Sequence, residues 1–349
     1  MKPYILLLCT LLVVACGEPV APANEQQAVF AVITRTSTTG IPMQVLEDLD
    51  ECAPTAINDH GAIAGNCGDY PFVRFPDRGT TTLDFRGYAE DINNRGELVG
   101  YRITGTGGFQ GFVWRRGTRR VDLPTLGGSD SRALAINDRG VVVGYTTDTG
   151  GWVRPFKWSQ ERGLVILEPA ESTLPSYYYE YLIAKDISNE GRIAGQAELP
   201  FGATPVLWLA SGRFIDVSDP VGPWYEYMNV RAMNERDEIV ALVADPETDS
   251  SYVHLWSPER GIVSIAPGSH RRWPAGIDDR GIVAGTYQTE GGMQSGPRHA
   301  FMWDRGETID LGTLGGQNSY ARAINDRGWV VGVAQDEANR SQMVIWRTR

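Results

Sequence analysis

The 349-residue chain is poor in the residues from which most active sites are built. It has four histidines and four cysteines, and none of them is spaced like a metal-binding pair. It contains no HExxH, no GxSxG and no GxxxxGK. The zinc-peptidase helix, the nucleophile elbow and the phosphate loop are therefore all missing, and no cofactor is expected. Basic residues are outnumbered, 32 Lys and Arg against 43 Asp and Glu, for a net charge of −11. That balance disfavours nucleic acid and any polybasic contact with anionic lipid. The apolar run near the start, Tyr4–Ala15, is too short to span a bilayer. What the chain has in plenty is turn residues: 40 Gly and 20 Pro, scattered between short apolar runs in a 42% apolar sequence. Such a composition reads as many short strands joined by tight turns.

Lys2 followed by Tyr4–Ala15 reads as a signal peptide over residues 1–15. Its last residues, "VVAC" (Val13–Cys16), resemble the bacterial lipobox. The resemblance implies cleavage before Cys16 and acylation of that cysteine; an ordinary cleaved signal with Cys16 incidental is the alternative. Residues 16–42, polar and Pro-containing at their start, are expected to form a tether. The expected location is the bacterial envelope, with Cys16 the only membrane contact, or the medium. Export leaves Cys52 and Cys67 to form one disulfide. A two-residue loop at Asp59-His60 would place Asn58 opposite Gly61 and Cys52 opposite Cys67. A bulge at Gly61 would stagger the cysteines by one place and still leave a bridge feasible.

A repeat runs through residues 43–349. The pattern Ile-Asn-Asp-x-Gly, then apolar residues and a second Gly, begins at Ile57, Ile92, Ile136, Ile187, Met233, Ile277 and Ile324, at spacings of 35, 44, 51, 46, 44 and 47 residues. The fifth copy departs, with Asp237 and Ala241 in the glycine places. About twenty residues after most anchors comes a Trp: Trp114, Trp158, Trp208, Trp256, Trp303 and Trp346, with Phe75 in the first copy. Each unit spells four strands, the first two joined by an Asn-Asp-x-Gly hairpin in which Asn and Asp serve the backbone and Gly takes positive φ. Four-stranded units of this length point to an all-β β-propeller of seven blades of four antiparallel strands. The chain stops after the third strand of its last unit, and Met43–Leu49 supplies an orphan strand. Pairing the N-terminal strand with the C-terminal blade would close the ring and remove two sheet edges. A monomer is expected.

Two junctions, "HAFMWDRGETIDLGTLGGQNSYARAINDRGWVVG" (His299–Gly332) and "FVWRRGTRRVDLPTLGGSDSRALAINDRGVVVG", resemble the HAF repeat of extracellular bacterial proteins. The resemblance implies export and a repeat architecture. It carries no catalytic residues to transfer. Within each unit two connections are tight and two are long, and the long ones emerge on one face, where binding is expected. There Tyr179-Glu180-Tyr181 and Tyr225-Glu226-Tyr227 stand at matching offsets before their anchors, and Arg272-Trp273 lie in the next unit. Rings that stack beside charges that orient suit a glycan or peptide, and an envelope protein is a further possible partner. The favoured reading is a non-enzymatic binding or scaffold protein. A glycan-active enzyme using Glu180 and Glu226 as a carboxylate pair is the alternative, and a purely structural repeat domain is a third. "DPETDSS" (Asp245–Ser251) alternates oxygen side chains but lacks the Gly and Glu of a calcium loop, so a solvated turn is the expectation.

Overall fold

The computed structural model describes residues 33–49, 52–167, 181–199, 202–217, 227–245, 250–265, 271–289 and 296–348. The expected signal peptide, Cys16 and most of the tether lie outside them. The described residues form strands, turns and bends with no helix, and hence no helix long and apolar enough to cross a membrane.

The hairpin turn is the element that the sequence dictates most directly. In the first repeat Asn58 N–H donates to Ala62 O and Gly61 N–H to Asn58 O, both at 3.0 Å, and Gly61 takes φ +77°. The Asn58 Oδ1 accepts from the His60 and Ala62 amides at 3.0 and 2.9 Å. The loop is thus three residues long, closed by a glycine bulge, and longer by one than the two-residue turn expected. The other six turns keep the same backbone pairing. In the fifth, Asp237 holds φ 62° where the others have Gly, a conformation that costs a residue with a Cβ.

The turns also join neighbouring repeats. The amide of the residue after each Asn donates to the matching side chain of the next turn: Asp59 to Asn94, Asn94 to Asp138, Asp138 to Asn189, Asn189 to Glu235, Glu235 to Asp279, Asp279 to Asp326 and Asp326 back to Asp59. This cycle of seven bonds closes on itself across the two ends of the chain. A second series runs beside it, in which the Asn58, Asn93, Asn137, Asn234 and Asn325 amide groups each donate to the next turn's carbonyl at 2.8–3.0 Å.

The strands assemble into six sheets of a propeller-like all-β fold. Five stand as separate blades built on four antiparallel strands. Four of these are contiguous in sequence, from Cys52 to Thr82, Gly87 to Asp122, Tyr227 to Ile265 and Arg272 to Asp310. The fifth combines Gly315–Ile324, Trp329–Asp336 and Ser341–Arg347 with Pro42–Leu46, and carries Ile33–Thr36 outside as an extra strand. The expectation of seven separate blades is therefore corrected to five. The eight strands between Gly127 and Asp216 form one sheet, because Val153 and Tyr181 pair in parallel where the two repeats meet.

Pro42–Leu46 pairs antiparallel with Ser341–Arg347, Met43 facing Trp346 and Leu46 facing Met343. The N-terminal strand thus completes the C-terminal blade as expected. Ile33–Thr36, part of the segment expected to be a tether, pairs with it in turn. The core lies between neighbouring repeats. Leu46, Val331, Met343 and Ile345 from the chain ends pack with Ile57, Ile63 and Phe72, and Val99, Val113 and Leu123 pack with Ala133, Phe156 and Trp158. Trp208 and Trp346 are fully buried, each contributing roughly 2–3 kcal/mol of apolar burial. The tryptophans of the third strands are packing residues.

The serines that follow the two repeated "TLGG" junctions tie neighbouring blades together. Ser131 and Ser319 are wholly buried, and their Oγ atoms accept the Gly111 and Ala300 amides of the preceding blade, both at 2.9 Å. Cys52 and Cys67 face each other and are joined by a disulfide with Cα atoms 4.1 Å apart.

Candidate functional site

The first strands of all seven repeats line one cavity of about 390 Å³ that opens among the hairpin turns. Each of these strands carries a β-bulge at the same place, two residues before the anchor. A bulged residue has no partner across the ladder, and the strand bends there. The seven are Thr55, Glu90, Leu134, Lys185, Arg231, Ala275 and Arg322, and the first six line the cavity. The second glycine of the repeat makes room for the bend. At Gly144 a Cβ would stand 1.9 Å from the Arg132 carbonyl oxygen, so a side chain there would push the strands apart.

The bulge positions concentrate charge inside the ring. Among the described residues, Lys185, Arg231 and Arg322 make no ion pair, and the side chains of Lys185 and Arg231 make no hydrogen bond. Arg322 lies over the Tyr320 ring at 6.0 Å. Arg231 is exposed and lines the cavity. Burial holds the Lys185 ammonium and the Arg231 guanidinium below their usual pKa ranges; the charges of Glu198 and Glu90 respectively pull the other way. Burial pushes Glu90 up, against the pull of Arg231, Arg132 and Lys185.

Beside this collar of bulge residues stand Asp91 and Asp186. Each accepts its own following amide and also the anchor amide of the next repeat, Ile136 N–H at 2.9 Å and Met233 N–H at 2.7 Å. Burial pushes Asp91 up to about 6 and Asp186 to about 7. The mouth of the cavity is the cycle of turns, where Asp59, Asp138, Glu235, Asp279 and Asp326 supply carboxylates and Asn94 and Asn189 supply amides. Asn94 donates to both Asp59 and Asp138, at 2.9 and 3.0 Å. From Glu235 through Asp279 and Asp326 to Asp59 no amide intervenes. Burial and the neighbouring Asp279 and Asp59 raise Asp326 to about 6.

Of the residues expected to form the site, Tyr181, Tyr227, Arg272 and Trp273 stand at the opposite end of the first strands. Tyr179, Glu180, Tyr225 and Glu226 lie outside the described residues, as does most of the Asp245–Ser251 loop. Tyr227 begins its strand. Tyr181 is 41% exposed, and its ring stands 6.2 Å from that of Trp152, itself 42% exposed. Arg272 turns its guanidinium over Tyr287 and Phe301, leaving its Nε and Nη1 buried without a hydrogen bond. Trp273 is half-buried with Arg298 stacked over it at 4.7 Å. The carboxylate pair of the enzyme alternative, Glu180 and Glu226, has no described geometry. Among the described residues no group of three or more His, Cys, Asp or Glu is placed to hold a metal ion.

Sequence reasoning missed the collar and Trp152. The signal was present in part: Glu90, Lys185, Arg231 and Arg322 are charges set inside otherwise apolar strands at one fixed offset. Plain alternation gives no reason for a charge there, because alternation assumes an unbroken ladder.

These features define an all-β propeller-like protein with a charged central channel. No family model matches the chain, and no curated protein is similar to it. Among solved structures it is similar to an oligogalacturonate lyase from Vibrio parahaemolyticus, with a TM-score of 0.55 at 9% identity, over 90% of this chain and 96% of that one. It is also similar to the β-propeller domain of the Trilobed protease from Pyrococcus furiosus, with a TM-score of 0.50 at 12% identity, over 91% and 92% of the two chains. A puromycin hydrolase matches at a TM-score of 0.53 and 13% identity, over 83% of this chain and 53% of the other. At such identities the likeness is one of fold.

Proposed function

We propose that this chain is a non-enzymatic binding protein of the bacterial envelope, anchored by lipid at Cys16, that presents a glycan- or peptide-binding face on a seven-bladed ring. The count of seven treats the eight-stranded sheet as two blades, each four antiparallel strands, since a single parallel pair joins them. The seven-membered cycle of turns supports that count. The observation that carries the binding reading is the exposed pair Trp152 and Tyr181 on the long-loop face. Large aromatic rings left in water beside one another form a platform on which a sugar ring or an apolar side chain stacks. The lipobox-like "VVAC" supports the anchor. A screen of glycans and peptidoglycan fragments against the chain from Gly17 to Arg349 tests the reading. The expected result is a ligand whose affinity drops about tenfold or more in Trp152→Ala and Tyr181→Ala, a loss of roughly 1.4 kcal/mol. A ligand bound equally well by both variants would move the site elsewhere.

A further inference from the structure

The channel is a second candidate site, independent of the aromatic face. Two features set it apart from an ordinary solvated pore. Lys185 and Arg231 line the cavity without an ion pair or a side-chain hydrogen bond among the described residues. Their N–H donors are available to an anionic group that enters from the mouth. At the mouth the charge reverses, with Glu235, Asp279, Asp326 and Asp59 in an unbroken arc. Two cations thus stand at the bulge level beside Glu90, while the arc at the mouth carries carboxylates alone, and neither a plain anion nor a plain cation suits the whole of the lining.

We propose that the channel binds a short peptide with free termini, its α-carboxylate held by Lys185 and Arg231 and its α-ammonium by the carboxylate arc at the mouth. The spacing agrees with this. Arg231 and Glu235 are four positions apart, at most about 13 Å at strand rise, a span shortened by the bulge and by the turn that begins after Met233. An extended tripeptide spans roughly 10 Å, and hydrogen bonding from side chains covers the remainder. Glu90 and Asn229, which also line the cavity, offer an acceptor and an amide to the peptide backbone. The apolar bulge residues Leu134 and Ala275 leave room for small side chains.

Titration calorimetry with trialanine, N-acetyl-trialanine and trialanine amide tests the assignment. Trialanine should bind, and blocking either end should weaken it by about tenfold or more. In Lys185→Met with Arg231→Met the penalty for amidation should vanish, because no cation remains to tell carboxylate from amide. Ala275→Trp should plug the cavity and abolish binding; if that variant does not melt cooperatively, Leu134→Trp serves the same purpose. Trp152→Ala and Tyr181→Ala should leave trialanine binding unchanged, which separates this site from the long-loop face. Absence of binding at millimolar trialanine, blocked peptides that bind as well as free ones, or a plugged variant that binds normally would each overturn the proposal.

Discussion

Repeats one, two, three and seven keep both the Asn and the Gly of the turn, whereas repeats four, five and six each depart from it. Ser188 and Asp278 replace the Asn, and Asp237 replaces the first Gly. The two groups differ in how they hold their neighbours. Asn58, Asn93, Asn137 and Asn325 reach across to the next carbonyl, and so does Asn234 of repeat five, while a hydroxyl at 188 and a carboxylate at 278 carry no amide to give. Repeat four recovers part of the loss, since Arg192 donates to the Glu235 carbonyl and pairs with Asp237 at 2.7 Å. The cycle of amide bonds asks only for a side-chain oxygen, so it continues unbroken through all seven turns. The irregular repeats four and five are also those that place Lys185 and Arg231 in the channel. The regular repeats carry the closure of the ring, and redundancy in the turns leaves the others free to vary in chemistry.

The largest effect should come from breaking closure within the regular group. Deleting residues 17–50 removes Pro42–Leu46 and uncovers Ser341–Arg347 with its buried Trp346. Loss of cooperative melting and aggregation on size exclusion are expected, while deletion of 17–28 should change neither. A monomer of unchanged melting temperature after the longer deletion would refute closure through this strand.

Next in size is a dependence on pH. Asp91, Asp186 and Asp326 have folded pKa values of about 6, 7 and 6, above the ordinary 3.8. Between pH 4 and 7 the folded state therefore binds more protons than the unfolded one, and stability from these groups falls as pH rises through that window. The bond from Arg86 to Asp69 and the amide bonds to Asp336 hold those two carboxyls below 3.8, so their contribution is lost only as pH falls below that value. Chemical denaturation should show a maximum on the acid side of neutrality and a decline of several kcal/mol towards pH 8. Asp186→Asn should flatten the decline; an unchanged slope would mean that Asp186 is not the buried group involved.

Swapping residues between the two groups gives a smaller effect of opposite signs. Asn137→Ser removes the link to the Ser188 carbonyl and should cost about 1 kcal/mol, whereas Ser188→Asn should gain a similar amount by restoring the link to Asn234. Equal and small effects of both changes in urea titrations would show that the second series of bonds adds nothing beyond the cycle. Smallest of all, Asp237→Gly should relieve the positive φ but lose the pair with Arg192. A net change within about 0.5 kcal/mol is expected.

The turns were legible in the sequence because their bonding needs specific chemistry at fixed offsets: an Asn to hold two amides and a Gly for positive φ. The pairing of Cys52 with Cys67 was also legible, although two departures from the assumed hairpin cancel to produce it. The three-residue loop places Ile57 opposite Ile63, one step from the assumed register, and the bulge at Thr55 moves the strand back before the cysteines meet. That bulge is the reason the channel was not legible. It turns Glu90, Lys185 and Arg231 inward at a place where alternation has no rule. The union of eight strands depends on Val153 meeting Tyr181, a contact between residues whose local sequences carry no sign of it.

Amide hydrogen exchange across the seven turns tests the closed ring most directly. The amides of Asp59, Asn94, Asp138, Asn189, Glu235, Asp279 and Asp326 should all exchange far more slowly than an unfolded peptide and with similar protection, because one cycle holds them. The decisive amide is that of Asp326, whose acceptor Asp59 belongs to the other end of the chain. Protection there matching that of Asn94 is the predicted result; exchange at the unfolded rate at Asp326, with Asn94 still protected, would contradict the ring.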